Sequence, residues 1–314
     1  MNSSTSISKK WLAAYLITFL ASLGMGWFYA QGLEPETQFW SQAFRDRREV
    51  LESRNEKPHV LFTGDSACSF GIDPTVFTNE TGVPSVNLGG TRQMGVDIFM
   101  REALAQARAG DVVVMIANPT LLAFEDGELS KTGAQMVLAL GDELSVEDRY
   151  KASRPGFSHL VSLAGKFALR KPMFRYRLSD LKENGQVVTA DRDHPAGQSQ
   201  AFEMTRDDVL RCAELLNDWN QRCKAQGVRF CYLISLELTS SEMLEENRAA
   251  KTALFEELVT LAGDDGVRIL EPPFAACSDE DALFADTLFH LTADGAENFT
   301  KEVAQAVMSQ LESP

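Results

Sequence analysis

The tripeptide Gly-Asp-Ser at residues 64–66 follows the apolar run of residues 60–62, with only Thr63 between them. An apolar run that stops at such a tripeptide is typical of a buried strand that delivers a serine to a tight turn. The turn lifts the Ser66 hydroxyl clear of the sheet edge, where a general base can reach it. Asp286 and His290, near the other end of the chain, supply a carboxylate and an imidazole. These three residue types are the parts of a nucleophilic acyl-transfer site.

The serine tripeptide also has an ordinary structural interpretation. Gly-Asp-Ser occurs by chance in chains of average composition, and a serine after a strand often caps the next helix. Its place after the first predicted strand, five residues before Gly71, favours a functional site. The reason is that ligands of open α/β sheets bind beyond the carboxyl ends of the strands.

Paired glycines and an asparagine occupy the ends of two later strands. Gly89 and Gly90 follow the second predicted strand, where a backbone without Cβ atoms approaches a ligand and an N–H can donate to a developing oxyanion. Asn118 follows the third predicted strand, and its amide can donate in the same way. A plain strand-to-helix turn also explains the glycines, and asparagine before proline is a common turn former. These three residues are candidates for an oxyanion hole.

The Asp286–His290 pair precedes the last predicted helix. Its carboxylate can hold the imidazole in one tautomer, and the ring can then take the serine proton. A polar loop capped by Thr292 is the structural alternative. Three further histidines lack such a context and are interpreted as structural or surface residues: His59, His159 and His194.

Strands and helices alternate from residue 59 onward. This predicts an α/β domain over residues 58–314, with a doubly wound, mostly parallel five-stranded sheet of the flavodoxin-like type. The predicted strands are residues 59–63, 83–88, 111–117, 228–234 and 267–270. Mixed periodicity interrupts the alternation between residues 125 and 205, and predicts a helical insertion with a mobile loop around residues 184–202.

Residues 11–30 contain no charged side chain. Twenty helical residues span about 30 Å, the thickness of a bilayer core, and aromatic residues mark both ends of the segment. Lys9 and Lys10 precede it and the first charges after it are acidic, which places residues 1–10 in the cytoplasm and the main domain in the periplasm or outside the cell. We therefore expect a single transmembrane anchor and, over residues 31–57, a helical juxtamembrane linker. A cleaved signal peptide is the alternative, although a bulky residue would occupy position −3 of its cleavage site.

The composition argues against several kinds of partner and site. The 314 residues carry a net charge of −15, which disfavours binding of nucleic acid or anionic lipid through the bulk surface. Five cysteines occur without a CxxC pair or a Cys/His cluster, so we predict no metal site, and we predict no cofactor. The odd number leaves at least one thiol unpaired in an exported monomer. The sequence allows one disulfide without identifying its partners, and buried apolar thiols are the favoured interpretation for most of the cysteines.

In their order along the chain, the four polar segments resemble the blocks of the SGNH (GDSL-type) hydrolase superfamily: a Gly-Asp-Ser nucleophile, a glycine, an asparagine and a C-terminal Asp–His pair. The resemblance covers residues 58–118 and 284–311. The Asp–His spacing is four residues, where the family usually shows three. By this resemblance the catalytic residues are the nucleophile Ser66, the base His290 and its partner Asp286, and the oxyanion hole is formed around the Ser66 N–H by Gly89 or Gly90 and Asn118.

The overall plan resembles one branch of that superfamily: single-pass, outward-facing proteins that work beside membrane-bound O-acyltransferases and modify cell-surface polysaccharides, often by O-acetylation. This resemblance implies a membrane-anchored serine esterase or O-acyltransferase for an acylated cell-surface glycan, with such an acyltransferase as a partner. The second hypothesis is a non-catalytic accessory subunit that holds a glycan or a membrane partner; the intact serine, histidine and aspartate favour the first. The third is a diffusible esterase or lipase released by signal cleavage.

Overall fold

The computed structural model describes most of the chain, in two compact units. The described residues are 4–32, 35–54, 58–124, 130–141, 143–153, 169, 174–189, 201–263 and 266–312. The first unit comprises Met1–Gln42 and Leu129–Arg177, and the second comprises Ala43–Glu128 and Leu178–Pro314.

The second unit is built on a parallel sheet. Its strands are β1 (Val60–Gly64), β2 (Ser85–Asn87), β3 (Val112–Ala117), β4 (Arg229–Ile234), β5 (Glu237–Leu238), β6 (Arg268–Ile269) and β7 (Cys277–Ser278). Five of them form one sheet in the order β2-β1-β3-β4-β6, and β5 pairs with β7. All pairs are parallel, which confirms the predicted five-stranded parallel sheet. β1 is an interior strand with neighbours on both sides, and its carboxyl end lies at the edge where ligands of such sheets bind.

Helices alternate with these strands. The α-helices of the described residues are α1 (Ser4–Gly32), α2 (Pro35–Glu52), α3 (Ser66–Gly71), α4 (Pro74–Thr81), α5 (Val96–Gln106), α6 (Pro119–Ala123), α7 (Lys131–Leu140), α8 (Val146–Ser153), α9 (Arg206–Ala225), α10 (Leu244–Gly263) and α11 (Ala293–Glu312). Capping residues explain where several of them begin. The Asp73 side chain accepts from the first N–H groups of α4, and Thr205 and Asp208 form a capping box at the start of α9.

Burial explains why the central strands are uninterrupted apolar runs. All six residues of β3 are buried, and so are all five of β1. A parallel sheet covered by helices on both faces has no solvent-exposed side, so the polar–apolar alternation of a surface strand is absent.

The first unit is helical. α1 lies beside α7 and α8, and the unit also holds the first residues of α2. Phe39 of α2 packs against the rings of Phe174 and Tyr176, with centroid distances of 5.5 and 6.2 Å. Aromatic pairs at such distances contribute about 0.5–1.5 kcal/mol beyond their buried area.

The predicted insertion divides between the two units. Its first part contributes α7 and α8 to the helical unit, whereas residues 178–189 belong to the α/β unit. There, Leu181 and Val187 form an antiparallel bridge, and we call residues 181–187 the edge hairpin. Val187 is fully buried. Residues 184–188 of the predicted mobile loop have main-chain hydrogen bonds, which join them to residues 180–182 and to Ser69 and Asn87. Residues 190–200 lie outside the described part of the chain.

In the part of the chain that the structure describes, no helix combines the length and the apolarity that crossing a membrane requires.

The five cysteines are free and buried. This agrees with the interpretation of most of them as apolar core residues. Burial raises the pKa of Cys223 to about 12 and that of Cys231 to about 11, so both remain thiols at neutral pH.

Gly64, the last residue of β1, has a stability role that can be measured. Its φ is +142°, and a Cβ atom there would lie 1.9 Å from the carbonyl oxygen of Ile116 on β3. We expect Gly64→Ala to lower the free energy of unfolding by about 3 kcal/mol or more, since the backbone of one strand must move. Urea unfolding followed by circular dichroism measures the change.

Gly82, which ends α4, provides the matched control. It also has a positive φ, of +71°, but a Cβ atom there meets nothing within 4 Å. Gly82→Ala should therefore lose only about 1–2 kcal/mol, the ordinary penalty for a left-handed L-residue. Equal losses at the two positions would contradict the assigned close approach of β1 and β3.

Candidate functional site

Ser66 is the first residue of α3, immediately beyond the carboxyl end of β1. It is half-buried, whereas the other residues of α3 are buried. The preceding residue, Asp65, is the N-cap of α3, and its Oδ1 accepts from the Ala67 N–H at 2.9 Å. The strand–turn–helix geometry expected from the sequence is therefore present, with Ser66 as the least buried residue of α3.

The buried carboxylate of Asp65 also lies between two strand ends. Besides accepting from the Ala67 N–H, it lies near enough to the backbone N–H of Asn118, the residue that follows β3, for that N–H to lower its pKa. Burial raises the pKa of Asp65 above its ordinary value of 3.8, and the two backbone N–H groups oppose that rise. Asp65 therefore stands between Asn118 and the start of α3.

Asp286 and His290 form a hydrogen-bonded pair. His290 Nδ1 lies 2.8 Å from Asp286 Oδ1, and both side chains are buried. An ionised carboxylate can only accept, which assigns the proton to Nδ1 and leaves Nε2 as the ring's acceptor. This is the tautomer that a general base requires.

A compact loop accommodates the four-residue spacing of this pair. The loop is closed by the bridge between Phe284 and Leu291, and the Ala285 N–H donates to the carbonyl of His290 at 2.7 Å. Inside it, Thr287 Oγ1 accepts from the N–H groups of Phe289 and His290. The extra residue is therefore absorbed by a side-chain-stabilised turn, and no helix is needed to bring Asp286 and His290 together.

The His290 ring stacks on Phe70 of α3. The ring centroids are 4.0 Å apart and the planes are nearly parallel, at 7°. Phe70 is four residues after Ser66, and residues four apart on a helix share a face. The imidazole therefore lies over the face of α3 that Ser66 begins.

The Ser66 hydroxyl makes no hydrogen bond to any described residue. The structure thus brings His290, Asp286 and Asn118 to the strand–turn–helix segment, without a hydrogen bond between the serine and the imidazole. Catalytic hydrogen bonds of this kind are often open without substrate and tighten when a substrate binds.

The Asn118 side chain has a fixed orientation. Its Oδ1 accepts from both the N–H and the hydroxyl of Thr120, at 2.9 and 2.7 Å, so Asn118 is the N-cap of α6. A backbone N–H can only donate, which identifies the bonded atom as the amide oxygen. Nδ2 donates to no group among the described residues, and the N–H of Ser66, at the start of α3, is likewise unclaimed there. These are two donors that an oxyanion could use.

The two glycines serve a different purpose in this structure. The Gly89 N–H donates to Asn87 Oδ1 at 2.9 Å, and the Gly90 N–H donates to the Gly64 carbonyl at 2.9 Å. A Cβ atom on Gly89 would lie 2.6 Å from the Ser69 nitrogen. The glycines therefore allow the turn after β2 to pack on α3, and neither N–H is left to donate to an oxyanion in this arrangement.

Several residues that shape the site carry no motif. Asn87 donates to the carbonyls of Cys68 and Ile72 and so holds the end of α3. Phe70 supports the imidazole, and Thr287 shapes its loop. Phe70 follows Ser66 at helical spacing, which the sequence shows. Its stacking partner, His290, is 220 positions away, so the sequence does not show the contact. Among the described residues, no group of three His, Cys, Asp or Glu side chains could hold a metal ion.

No family model matches this chain, and no curated protein matches it. Among solved structures, the chain is similar to an acetyl xylan esterase, Est2A, from the rumen bacterium Butyrivibrio proteoclasticus, at 12% sequence identity and a TM-score of 0.35. The match covers 82% of this chain and 65% of that one, slightly under two thirds of its length.

The raised pKa of Asp65 predicts a pH-dependent stability difference. A buried acid whose pKa is raised stabilises the fold fully below its unfolded-state pKa, near 3.8, and this contribution is lost as the pH rises through the folded-state pKa. Asp65→Asn keeps an oxygen that can accept from the Ala67 N–H and has no charge to bury. We therefore expect the wild type to lose stability relative to Asp65→Asn as the pH rises from about 3.8, measured by urea unfolding at a series of pH values. A difference that stays constant across this range, or changes in the opposite direction, would show that burial does not control this carboxyl group.

Proposed function

We propose that this protein is a serine esterase or O-acyltransferase of the SGNH kind. Ser66 is the nucleophile, His290 the general base and Asp286 the carboxylate that orients it. The observation that carries the proposal is the stacking of the Asp286-bonded imidazole on α3, the helix that begins with Ser66.

The proposed reaction uses each group for one step. Ser66 Oγ attacks the ester carbonyl while His290 Nε2 takes its proton, and the Asp286 carboxylate stabilises the resulting imidazolium. The carbonyl oxygen becomes an oxyanion, which accepts from the Ser66 N–H and from Asn118 Nδ2. The tetrahedral intermediate collapses as the leaving alcohol takes the proton from His290, and the acyl group remains on Ser66. Water or a sugar hydroxyl then attacks the acyl-enzyme by the same steps in reverse.

For the substrate, we propose an acylated cell-surface glycan and, as a partner, a membrane-bound O-acyltransferase. This part rests on the resemblance of the sequence plan to the membrane-anchored branch of the superfamily. The bulk charge of −15 is compatible with a neutral glycan ester, which a charged surface neither attracts nor repels strongly.

We also propose that residues 11–30 attach the protein to a membrane, with the α/β unit on its extracytoplasmic side. The support is the uncharged sequence of this segment together with the exposure of its large apolar side chains. Trp11, Leu12, Tyr15 and Ile17 are each more than two-thirds exposed. A contiguous exposed apolar surface of this kind is typical of contact with a lipid or a protein partner.

Replacement of Ser66 tests the proposed nucleophile. We expect Ser66→Ala to reduce hydrolysis of a small acyl ester by about 10⁴-fold or more, because the nucleophile of a triad acts as a unit with its base. The thermal midpoint should stay close to that of the wild type, since Ser66 Oγ forms no hydrogen bond with any residue that the structure describes. Esterase assays and covalent labelling by a fluorophosphonate probe measure the loss of activity. Thermal unfolding measures the midpoint.

Ser69, on the same helix, is the matched control. Its hydroxyl is buried and donates to the Gly90 carbonyl at 3.0 Å, so Ser69→Ala should lower stability and leave probe labelling in place. Wild-type activity in a folded Ser66→Ala variant would exclude the serine mechanism. A folded wild type that neither hydrolyses esters nor reacts with the probe would favour the accessory subunit.

The membrane proposal predicts that the intact chain stays with the membrane fraction after an alkaline carbonate wash. A reporter fused after residue 314 should be active only outside the cytoplasm. The expected mature chain keeps residues 1–30, because they form the anchor. A reporter active only in the cytoplasm would overturn the proposed topology, and a mature N-terminus near Gln31 would show secretion.

A further inference from the structure

Arg47, on α2, is a fully buried arginine whose hydrogen bonds end on main-chain carbonyls. Its Nη1 donates to the carbonyl of Gly89 at 2.5 Å and its Nη2 to the carbonyl of Gly185 at 2.6 Å. The guanidinium also lies over the ring of Phe44, 5.4 Å from its centroid. Burial lowers the pKa of Arg47 to about 10, so the side chain is still charged at neutral pH.

The first arm of the guanidinium leads to the turn before Ser66. The Gly89 carbonyl and the Gly90 N–H belong to one peptide group, and that N–H donates to the Gly64 carbonyl at 2.9 Å. A cation at one end of such a chain polarises each following hydrogen bond and strengthens it. Arg47 therefore holds the carbonyl of the Gly89–Gly90 peptide, whose N–H is bonded to the last residue of β1.

The second arm leads to α3 itself. Gly185 is part of the edge hairpin, and the Val187 N–H of that hairpin donates to the carbonyl of Ser69 at 2.9 Å. Close contact at Gly185 is unavoidable, since a Cβ atom there would lie 2.8 Å from Arg47 Nε and 2.0 Å from the Asn87 carbonyl oxygen. The edge hairpin is thus hydrogen-bonded both to Arg47 and to α3, the helix that carries Ser66.

We propose that Arg47 is a positioning residue for Ser66, holding the Gly89 turn and the edge hairpin against the segment from Gly64 to Ser69. This inference rests on the proposed role of Ser66 as nucleophile. Arg47 does not touch the reacting atoms. It acts through two main-chain carbonyls, and this explains the burial of a full positive charge next to the site. Such an arrangement requires the planar, two-pronged donor geometry of arginine, which lysine does not supply.

A second buried arginine provides a matched control. Arg54 follows α2, its side chain is 3% exposed, and it pairs with Asp111 Oδ2 at 2.9 Å. Like Arg47, it also donates to a main-chain carbonyl, that of Gln106, at 2.9 Å. Asp111 precedes β3, so Arg54 lies at the amino end of the sheet, opposite the edge that carries Ser66. Replacing either arginine removes a buried cation, but only Arg47 is connected to α3.

The test compares Arg47→Met, Arg47→Lys and Arg54→Met in the full chain. We expect a fluorophosphonate to label Arg47→Met about 10²-fold more slowly than the wild type. Turnover of a small ester should fall by the same factor, with KM nearly unchanged. Misplacing a nucleophile by about 1 Å has effects of this size. The labelling rate of Arg47→Lys, which keeps the charge and one donor direction, should lie between those of Arg47→Met and the wild type. Arg54→Met should lower the thermal midpoint and leave the labelling rate within about twofold of the wild type.

Hydrogen–deuterium exchange of residues 60–71 gives a readout that does not depend on activity. Amide exchange in this segment should accelerate in Arg47→Met well beyond its change in Arg54→Met, since local opening follows the loss of local contacts. Unchanged exchange and unchanged labelling in Arg47→Met would overturn the positioning role, as would equal losses of labelling in Arg47→Met and Arg54→Met. A wild type that is not labelled at all would refute the proposed esterase, and the exchange comparison alone would then decide the role of Arg47.

Discussion

The hydrogen bond that the buried Asp65 carboxylate accepts from the start of α3 is the interaction on which the site depends. This carboxylate accepts from the Ala67 N–H in α3, and it lies near enough to the backbone N–H of Asn118 after β3 for that N–H to lower its pKa, so it stands between two neighbouring strand ends. Without it, the start of α3 would be free to move. The arrangement is costly, because burial works against the charged form of this carboxyl. Proteins keep such a group where a fixed local geometry matters.

Neighbouring segments also contact α3 and fix its position. Asn87 binds the carbonyls near its carboxyl end, and Phe299 of α11 lies close to Gly71, at its last residue. The Asp286–His290 loop directly precedes α11, and the Leu238 N–H of β5 donates to the Leu288 carbonyl of that loop at 2.8 Å. The short β5–β7 pair therefore supports the loop from outside the main sheet. A six-residue helix with little stability of its own is thus made rigid by its neighbours.

The sequence predicts the main sheet well because the determinants of the strands are local. The interior strands β1, β3 and β4 are mostly apolar. The alternation of strands with helices leaves few topologies. The Asp286–His290 contact follows in the same way from two residues in one short loop. By contrast, the edge hairpin is stabilised by Ser69 and Asn87, more than 90 residues before it, and its own sequence has no strand period. The hydrogen bonds of the Gly89 and Gly90 N–H groups likewise depend on partners that no motif specifies. In the sequence, Arg47 is one of several charged residues on an amphipathic helix. Only the fold shows that its side chain is buried.

We propose that β1, its turn and α3 deliver the Ser66 hydroxyl to the imidazole held by Asp286. The most direct measurement is a crystal structure of the full chain after reaction with a small phosphonate ester, which mimics the tetrahedral intermediate. We expect phosphorus bonded to Ser66 Oγ, His290 Nε2 within about 3.2 Å of that oxygen, and a phosphonyl oxygen that accepts from the Ser66 N–H and Asn118 Nδ2. Phosphorus on a different residue, or an imidazole more than about 6 Å from Ser66 Oγ with no loop able to close the gap, would contradict the proposed roles of Ser66 and His290.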